Sequence, residues 1–216
     1  MANESTKWSN LNSRDPIRSF LELPPLPAEF FLQKTELVAR NLLGKVLLRE
    51  NGNTLLAGRI VEVEAYLGKD DPASHAFRGP SKRNGSMFLT GGTCYVYLSY
   101  GVHYCMNVST QGQGVGEAVL LRAVEPLHGE AQMRLNRKLR DKDRYGISNG
   151  PGKLTQAFSI DLGFDGERFD REDFKLVDLG ESLVDKQVAR SPRIGISKAK
   201  ESLFRFYDKA SPWVSR

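Results

Sequence analysis

The sequence predicts an α+β fold in one domain, with a central, mostly antiparallel curved sheet, surrounding helices and a protruding β-hairpin. Stretches with strand character dominate the middle of the chain, and stretches with helical spacing lie on either side of them. The length of 216 residues is typical of one large domain, or at most two small ones, and is enough to bury a core without cross-links. A charged fraction of 26% with 40% apolar residues indicates a globular chain and excludes a disordered one.

The start of the chain differs in composition from the remainder. Residues 1–23 are polar and are followed by LPPLP, so we interpret them as a flexible leader before a domain that spans 24–216. The leader lacks the apolar core of a secretory signal, and no run in the chain reaches transmembrane length. We therefore expect an intracellular protein, in the cytoplasm and nucleoid or in a nucleus, with no membrane partner.

The first elements predicted after the leader are a helix and two strands. The helix is expected over FFLQKTELVARNLLG (30–44), with Thr35 as its cap and Gly44 at its end. Residues 45–68 read as two strands joined by the turn residues Asn51-Gly52-Asn53. The polar, glycine-containing stretch 69–86 is a long loop, and long loops in compact domains are usually functional or disordered.

A hairpin, another strand and two helices are predicted next. CYVYLSYGVHYCMN (94–107) reads as the hairpin, and GEAVLLRAVEP (116–126) as a strand that closes at Pro126. A basic helix is expected over 128–144, with Leu135 and Leu139 facing the core. SNGPGKLTQAF (148–158) is a glycine turn that leads into a further helix, and the tail from Ser191 mixes strand and loop.

The two cysteines of the chain, Cys94 and Cys105, both lie in the predicted hairpin and do not form a C-x-x-C motif. Such sparse usage fits a reducing compartment. A hairpin that turns near Ser99 and Tyr100 would allow the two residues to face each other across the strands, so a disulfide is geometrically possible, and free thiols are the expected state.

The strand GRIVEVEAYLG (58–68) carries the first candidate chemistry. Alternation along the strand places the side chains of one set of residues on a core face. The side chains of a second set, which include two carboxylates and an aromatic ring, lie on the opposite face. The second face is either exposed to solvent or forms the wall of a pocket, with Glu64 as a general base and Tyr66 as a stacking platform. A two-carboxylate glycoside hydrolase has little support, because residues i and i+2 of one strand do not flank a bond from opposite sides. The core set is Val61, Val63 and Ala65, and the other is Ile60, Glu62, Glu64 and Tyr66.

Histidine spacing gives no support to a metal site. His75, His103 and His128 are the only histidines, and none lies four residues from another or beside a cysteine pair. The spacing therefore gives no support to a zinc site. His75, in the loop, is either a surface residue or a ring beside a pocket that stacks or forms a hydrogen bond.

The tyrosines of the hairpin point to a partner. Tyr95, Tyr97 and Tyr104 are consistent with cross-strand packing. Tyr100, at the tip, must pack on another element, bind a partner or remain exposed. The formal charge of +5 favours a polyanionic partner, and aromatic rings stack on or between bases.

The turn SNGPGK is a weak candidate for a phosphate cradle. Its glycines allow close approach of the backbone, a helix begins there and Lys153 is adjacent. The spacing is not that of a Walker A motif.

Together these motifs resemble the methylpurine (alkyladenine) DNA glycosylase family, from about residue 30 to residues 211–215. The stretches that carry the resemblance are IVEVEAYLG (60–68), the His75 loop with KRNGSMF (82–88), GTCYVYLSYGVHYCMNVS (92–109), AVLLRAVEP (118–126), NGPGKL (149–154) and RIGI (193–196).

The resemblance implies an enzyme that flips a damaged purine out of duplex DNA and hydrolyses its N-glycosidic bond without a metal or cofactor, leaving an abasic site. It implies that Glu64 deprotonates the attacking water. Arg122 would help to position that water, as would the backbone carbonyl of Ile194.

The resemblance also implies roles for residues that contact DNA. Tyr66, His75 and Tyr97 would sandwich the flipped base, and Asn107 would clash with the amino group of normal guanine. Tyr100 would fill the gap in the duplex. Contacts to the DNA backbone or groove are expected from Met87, Val102 and Lys153.

The predicted function is therefore a monofunctional, monomeric DNA glycosylase for alkylated or deaminated purines. No lysine is evidently placed as an amine nucleophile, so no lyase step is expected. A non-catalytic nucleic-acid binding module that uses the same aromatic hairpin is the alternative, and a carbohydrate hydrolase would need a second carboxylate across the cleft. The lesion is left open among 3-methyladenine, 7-methylguanine, hypoxanthine and ethenoadenine, which present similar purine faces.

Overall fold

A computed structural model of the chain describes residues 20–52, 54–139 and 144–215. Within these ranges, eight strands form a single antiparallel sheet that is curved and does not close, and the helices are short, which confirms the predicted α+β class. The strands are β1 (Val46–Asn51), β2 (Thr54–Tyr66), β3 (Cys94–Ser99), β4 (His103–Thr110), β5 (Glu117–His128), β6 (Phe174–Val177), β7 (Val188–Ser191) and β8 (Arg205–Asp208). The α-helices are α1 (Ala28–Phe31), α2 (Thr35–Leu42), α3 (Glu130–Asn136) and α4 (Pro151–Ala157).

Strand β2 is the centre of the sheet. The main strand order is β3-β4-β5-β2-β1-β6, and β8 pairs with both β2 and β7. The first half of β2 pairs with β1, and its last residues pair with β5 on one side and β8 on the other. Residues near the end of β2 are therefore paired through both backbone edges, and every residue from Ile60 to Ala65 is buried.

Three register shifts interrupt the pairing of β2 with β5, one between Ala57 and Gly58 and two nearer the end of β2. Val61 has no partner between the pairs Ile60↔Val124 and Glu62↔Ala123, and Arg122 has none between Glu62↔Ala123 and Val63↔Leu121. An extra residue in a strand reverses the alternation beyond it. The prediction for Ile60 was therefore wrong, because this residue packs in the same core cluster as Val61 and Val63.

Helix α2 begins differently from the prediction. Lys34 is the residue before the helix, and Thr35 is buried within it. The hydroxyl of Thr35 contacts the Thr110 hydroxyl at 2.7 Å and donates to Glu117 instead of capping the helix. Gly44 follows the helix with a φ of 87°, a left-handed conformation that suits glycine and ends the element as expected.

Other expectations about single elements were also wrong. Strand β5 continues past Pro126 to His128, with a register shift opposite this proline. The basic helix is shorter than predicted. Leu135, expected to face the core, is 70% exposed, and Met133 is the buried residue of the helix. Leu139 packs against the core as expected. The rest of that predicted helix, residues 140–143, lies outside the described residues.

The hairpin forms from β3 and β4, with Ser99 opposite His103. Cys105 pairs with Tyr97 and Cys94 with Val108, so the two cysteines do not face each other, and both are buried free thiols. The turn exposes Tyr100, Gly101 and Val102.

Most of the predicted leader, residues 1–19, lies outside the described residues, and the domain boundary stays a prediction. Phe20 is buried in a small cluster with Val46 and Leu48, and the Lys175 ammonium donates to the carbonyls of Leu21 and Leu23. In the described part of the chain, no helix combines the length and the apolarity needed to cross a bilayer.

Candidate active site

A cavity of about 800 Å³ opens between the end of β2, the hairpin, the loop after β2 and the segment that follows Arg193. This volume lies in the range of small-molecule sites. All of the predicted site residues except Val102 and Lys153 line it. The lining residues that the sequence predicts are Glu64, Tyr66, His75, Met87, Tyr97, Tyr100, Asn107, Arg122 and Ile194.

Glu64 is a buried carboxylate on the cavity wall, and three groups contact it. The backbone N–H of Ile194 donates to Oε1 at 2.7 Å, and the Tyr66 hydroxyl donates to Oε2 at 2.9 Å. The Arg122 guanidinium lies 3.3 Å from Oε1. Burial raises the pKa of Glu64, while Arg122 and the two donors oppose that rise. The Glu64 carboxylate is therefore fixed in one orientation and is more basic than that of an ordinary glutamate.

Glu62, two residues earlier, has a different environment. Its carboxylate accepts from Nε of Arg122 at 2.9 Å and from Nε of Arg205 at 2.7 Å, and the backbone N–H of Ser215 donates to it at 2.6 Å. Burial works to raise the pKa of Glu62, but the two arginines and Ser215 outweigh it and lower that pKa. Glu62 does not line the cavity, and it holds Arg122 in place.

The aromatic wall is formed by residues from β2, β3 and the loop between them. The rings of His75 and Tyr97 meet edge to face with centroids 4.5 Å apart. Tyr95 stacks on Tyr97 at 5.4 Å, and its hydroxyl contacts His75 Nδ1 at 2.9 Å. Burial, with the charge of Arg83 as a second cause, lowers the pKa of His75, so this ring is neutral near pH 7. Tyr66 completes the aromatic lining beside Glu64.

Asn107 and Met87 lie on the inner side of the cavity and are both buried. The Asn107 side chain donates to the carbonyl of Tyr95 at 3.0 Å, which fixes its orientation. Met87 packs in a cluster with Tyr95 and Ala118. These contacts make both residues part of a preformed wall.

The rim carries the exposed predicted residues. Tyr100 is 88% exposed and has a φ of 50°, a conformation that costs a residue with a side chain about 1–2 kcal/mol. Val102, beside it, is 67% exposed. Lys153 lies on α4, where its ammonium donates to Asn149 at 2.7 Å, and the neighbouring Pro151 lines the cavity. Val102 and Lys153 are thus near the mouth and outside the lining.

Sequence reasoning missed several residues of the site. Tyr95 was interpreted as packing, although its spacing from Tyr97 puts both on one face of β3, and both line the cavity. Arg83, in the loop, donates to the carbonyl of Leu98 at 3.1 Å and also lines the cavity. Arg193 and Asp71 form a buried ion pair behind the wall, and no local pattern predicts a contact between such distant residues.

A model of the methylpurine-DNA glycosylase family matches residues 29–212. This chain belongs to the methylpurine-DNA glycosylase family. The match includes every residue of the cavity lining, and it identifies the chain as a DNA glycosylase, a hydrolase that acts on N-glycosidic bonds in DNA.

Individual members of the family are similar over nearly their whole length. A protein of Salinibacter ruber is 47% identical over 204 residues, which cover 89% of this chain and 97% of that protein. A protein of Koribacter versatilis is 42% identical over 93% of this chain and 97% of that protein. One of Francisella tularensis is 44% identical over 85% of this chain and 94% of that protein. All three bear the name "Putative 3-methyladenine DNA glycosylase".

Proposed function

We propose that this methylpurine-DNA glycosylase removes alkylated or deaminated purines from duplex DNA by hydrolysis, with Glu64 as the general base. The observation that carries the proposal is the position of Glu64, a buried carboxylate on the wall of a cavity that also holds Tyr66, Tyr97 and His75. The names of the similar proteins, which refer to 3-methyladenine, support an alkylated purine as a substrate.

In the proposed reaction, Glu64 removes a proton from water as the water oxygen forms a bond to C1′ of the sugar. The bond between C1′ and the purine nitrogen breaks, and its electron pair leaves with the base. A cationic alkylated purine departs as a neutral molecule, a neutral deaminated purine takes up a proton from solvent, and the proton on Glu64 passes to solvent. The products are a free purine and an abasic sugar that carries the new hydroxyl group. Arg122 and the segment at Ile194 hold the carboxylate in the orientation that this step needs.

The aromatic wall would bind the flipped base. Stacking of a base on an aromatic ring contributes about 1–3 kcal/mol, which offsets part of the cost of removing it from the duplex. Electron-rich rings also attract an alkylated, positively charged purine by about 0.5–2 kcal/mol. The same positive charge makes that purine a better leaving group. Asn107, fixed by its bond to Tyr95, would select against the amino group of guanine.

The rim would contact the duplex. We assign Tyr100 to the gap left by the flipped nucleotide, because its ring is exposed at the edge of the cavity. Val102 and Lys153 would contact the DNA backbone or groove. Met87 was also expected to do so, but it is buried on the inner side of the cavity, so it would meet only the flipped nucleotide. The contribution of lysine and arginine to phosphate binding makes the affinity depend on salt.

The test is release of free base from a panel of duplexes that each contain one lesion. We expect the unsubstituted protein to release at least one alkylated or deaminated purine, and Glu64→Gln to release it about 100–10,000 times more slowly with normal DNA binding. Glu125→Gln, a carboxylate on β5 that pairs with Arg59 outside the cavity, is the matched control and should keep the normal rate. A normal rate for Glu64→Gln would refute the general-base role. DNA binding without base release would favour a binding module.

A separate assay tests the absence of a lyase step. Among the described residues, Lys198 is the lysine that lines the cavity. We expect no strand cleavage at the abasic site and no covalent complex after borohydride reduction. Trapping that disappears in Lys198→Ala would show that the enzyme is bifunctional.

A further inference from the structure

A buried ion pair joins two distant segments behind the wall of the cavity. Arg193 and Asp71 have side chains that are 0% and 1% exposed, and 122 residues separate them in the sequence. Nη2 of Arg193 donates to Asp71 Oδ1 at 2.7 Å, and its Nη1 contacts the other carboxylate oxygen. Neither residue lines the cavity. Their influence on chemistry must therefore act through residues that do.

Arg193 contacts three parts of the site. Its Nη1 also donates to the carbonyl of Ala65 at 2.9 Å, and Ala65 lies between Glu64 and Tyr66 on β2. Its guanidinium carbon lies 4.5 Å from the centroid of the Tyr66 ring. The next residue along the chain, Ile194, supplies the N–H that donates to Glu64. The guanidinium thus contacts the strand that bears the carboxylate and the ring beside it, and the backbone of the same residue leads directly into the segment that donates to the carboxylate.

Asp71 fixes the opposite segment. Its carboxylate accepts from the backbone N–H of Leu67 at 3.2 Å and of Ala73 at 3.0 Å. Ala73 and the adjacent Pro72 line the cavity. The ion pair therefore ties the loop after β2 to the segment that contains Ile194, and both segments line the cavity.

We infer that Arg193 and Asp71 are positioning residues, which hold the Ile194 amide on Glu64 and keep Glu64 and Tyr66 in one fixed arrangement. The inference rests on the proposed function, because the pair acts on the reaction only through Glu64. A lysine at position 193 keeps the charge but has no planar fork, so it cannot bind both oxygens of Asp71 and the carbonyl of Ala65 in the same geometry. The arrangement would then loosen while the cavity lining keeps its composition.

The experiment measures excision under single-turnover conditions, together with the dissociation constant for lesion-containing duplex, at a series of pH values. We expect Arg193→Lys and Asp71→Asn to slow the excision step about 100-fold, as misplacement by about 1 Å does, and to change the dissociation constant little. The acidic limb of the rate profile should move to higher pH, because the Ile194 amide no longer stabilises the ionised carboxylate. Other groups also interact electrostatically with Glu64, and neither substitution removes them. They are Arg122, Glu62, Tyr66, Tyr97 and Cys105.

Arg171→Lys is the matched control. Arg171 also binds both oxygens of one carboxylate, that of Asp173, but this pair is on the surface and does not line the cavity. We expect it to leave the rate, the dissociation constant and the pH profile unchanged. The opposite outcome is that Arg193→Lys and Asp71→Asn lower only the thermal stability. If their excision rate and the acidic limb of their pH profile are normal at a temperature where they are folded, the pair is structural and the inference is overturned.

Two further outcomes are decisive. Failure of both variants to fold would assign the pair to the fold alone and would also overturn the inference. The unsubstituted protein is measured in parallel, and absence of base release by it would refute the proposed function itself. Normal release by the unsubstituted protein, with an unchanged rate in the variants, would refute only the positioning role.

Discussion

Glu62 and Glu64 share Arg122 unequally, because its Nε lies 2.9 Å from Glu62 and its Nη1 lies 3.3 Å from Glu64. Glu62 also has Arg205 and Ser215 as partners, whereas Glu64 has Arg122 as its one cation among the described residues and faces the cavity. The pKa of Glu62 is lowered by these partners against the effect of burial, and burial raises that of Glu64. Two glutamates on one strand are thus divided into a structural anion and a candidate base.

The first prediction concerns stability, and the two glutamates should respond with opposite signs. A lowered pKa means that ionised Glu62 stabilises the fold above its unfolded pKa near 4.5, and that this contribution is lost as the pH falls through the folded value. Glu62→Gln should therefore lower the free energy of unfolding at pH 7 by about 3–5 kcal/mol, because buried arginines lose their partner. Glu64→Gln removes a charge that is costly to bury and should leave that free energy unchanged or raise it. Urea unfolding at pH 7 measures both, and destabilisation of equal size would contradict the assignment.

The second prediction concerns the pH dependence of excision. The proposed mechanism requires ionised Glu64, so the rate should fall as the pH drops through its pKa, and burial places this midpoint above 4.5. His75 should not contribute a limb near neutrality, because its pKa is lowered. Arg122→Gln removes the positive charge that opposes the rise and should move the midpoint to still higher pH. The measurement is the single-turnover rate on a duplex that contains hypoxanthine, at a series of pH values. A midpoint at or below pH 4.5 would contradict the prediction.

The third prediction concerns the exposed ring at the hairpin tip. Tyr100→Ala should slow excision about 10–100-fold, because a stacked ring is worth about 1–3 kcal/mol. Since the side chain is 88% exposed, the free energy of unfolding should not change. Tyr100→Phe keeps the ring and is the control. Fluorescence of 2-aminopurine next to the lesion reports flipping, and equal fluorescence and rate for Tyr100→Ala would exclude the wedge.

The fourth prediction concerns the contact between α4 and the hairpin. A Cβ placed on Gly152 would lie 2.8 Å from Cβ of His103, a clash that rotation of a side chain cannot relieve. Gly152→Ala should therefore lower the free energy of unfolding by about 1–3 kcal/mol, although alanine is intrinsically better in a helix by about 1 kcal/mol. Gly112→Ala, which meets nothing within 4 Å, is the control. A stabilised Gly152→Ala variant would show that the helix and the hairpin are not in close contact.

Local patterns in the sequence were sufficient for the class of the fold and most strands, whereas the grouping of the cavity residues came from the resemblance to the family. Alternation within residues 61–66 placed Glu64 and Tyr66 together, and the turn at Tyr100 followed from Gly101 and the flanking strands. These patterns are local and depend only on strand period and turn chemistry. The roles of the predicted site residues remain predictions.

What the sequence could not predict depends on contacts between distant segments. The bulge at Val61, which moves Ile60 into the core, is visible only in the pairing with β5. Asp71, the ion-pair partner of Arg193, lies 122 residues away in the sequence. Glu117, which accepts a hydrogen bond from Thr35, is the first residue of β5. A threonine before a helical stretch favours a cap locally, and a partly buried carboxylate of another strand outweighed this preference.

The contacts of Glu62 have a consequence for the order in which the protein is made. A ribosome releases the chain from its N-terminus, and Ser215 follows Glu62 by 153 residues. While the chain is being translated, the carboxylate at the middle of the sheet has neither β8 nor Ser215 beside it. The centre of the sheet therefore becomes complete only after almost all of the described chain has left the ribosome, so that β2 gains its last contacts late in translation.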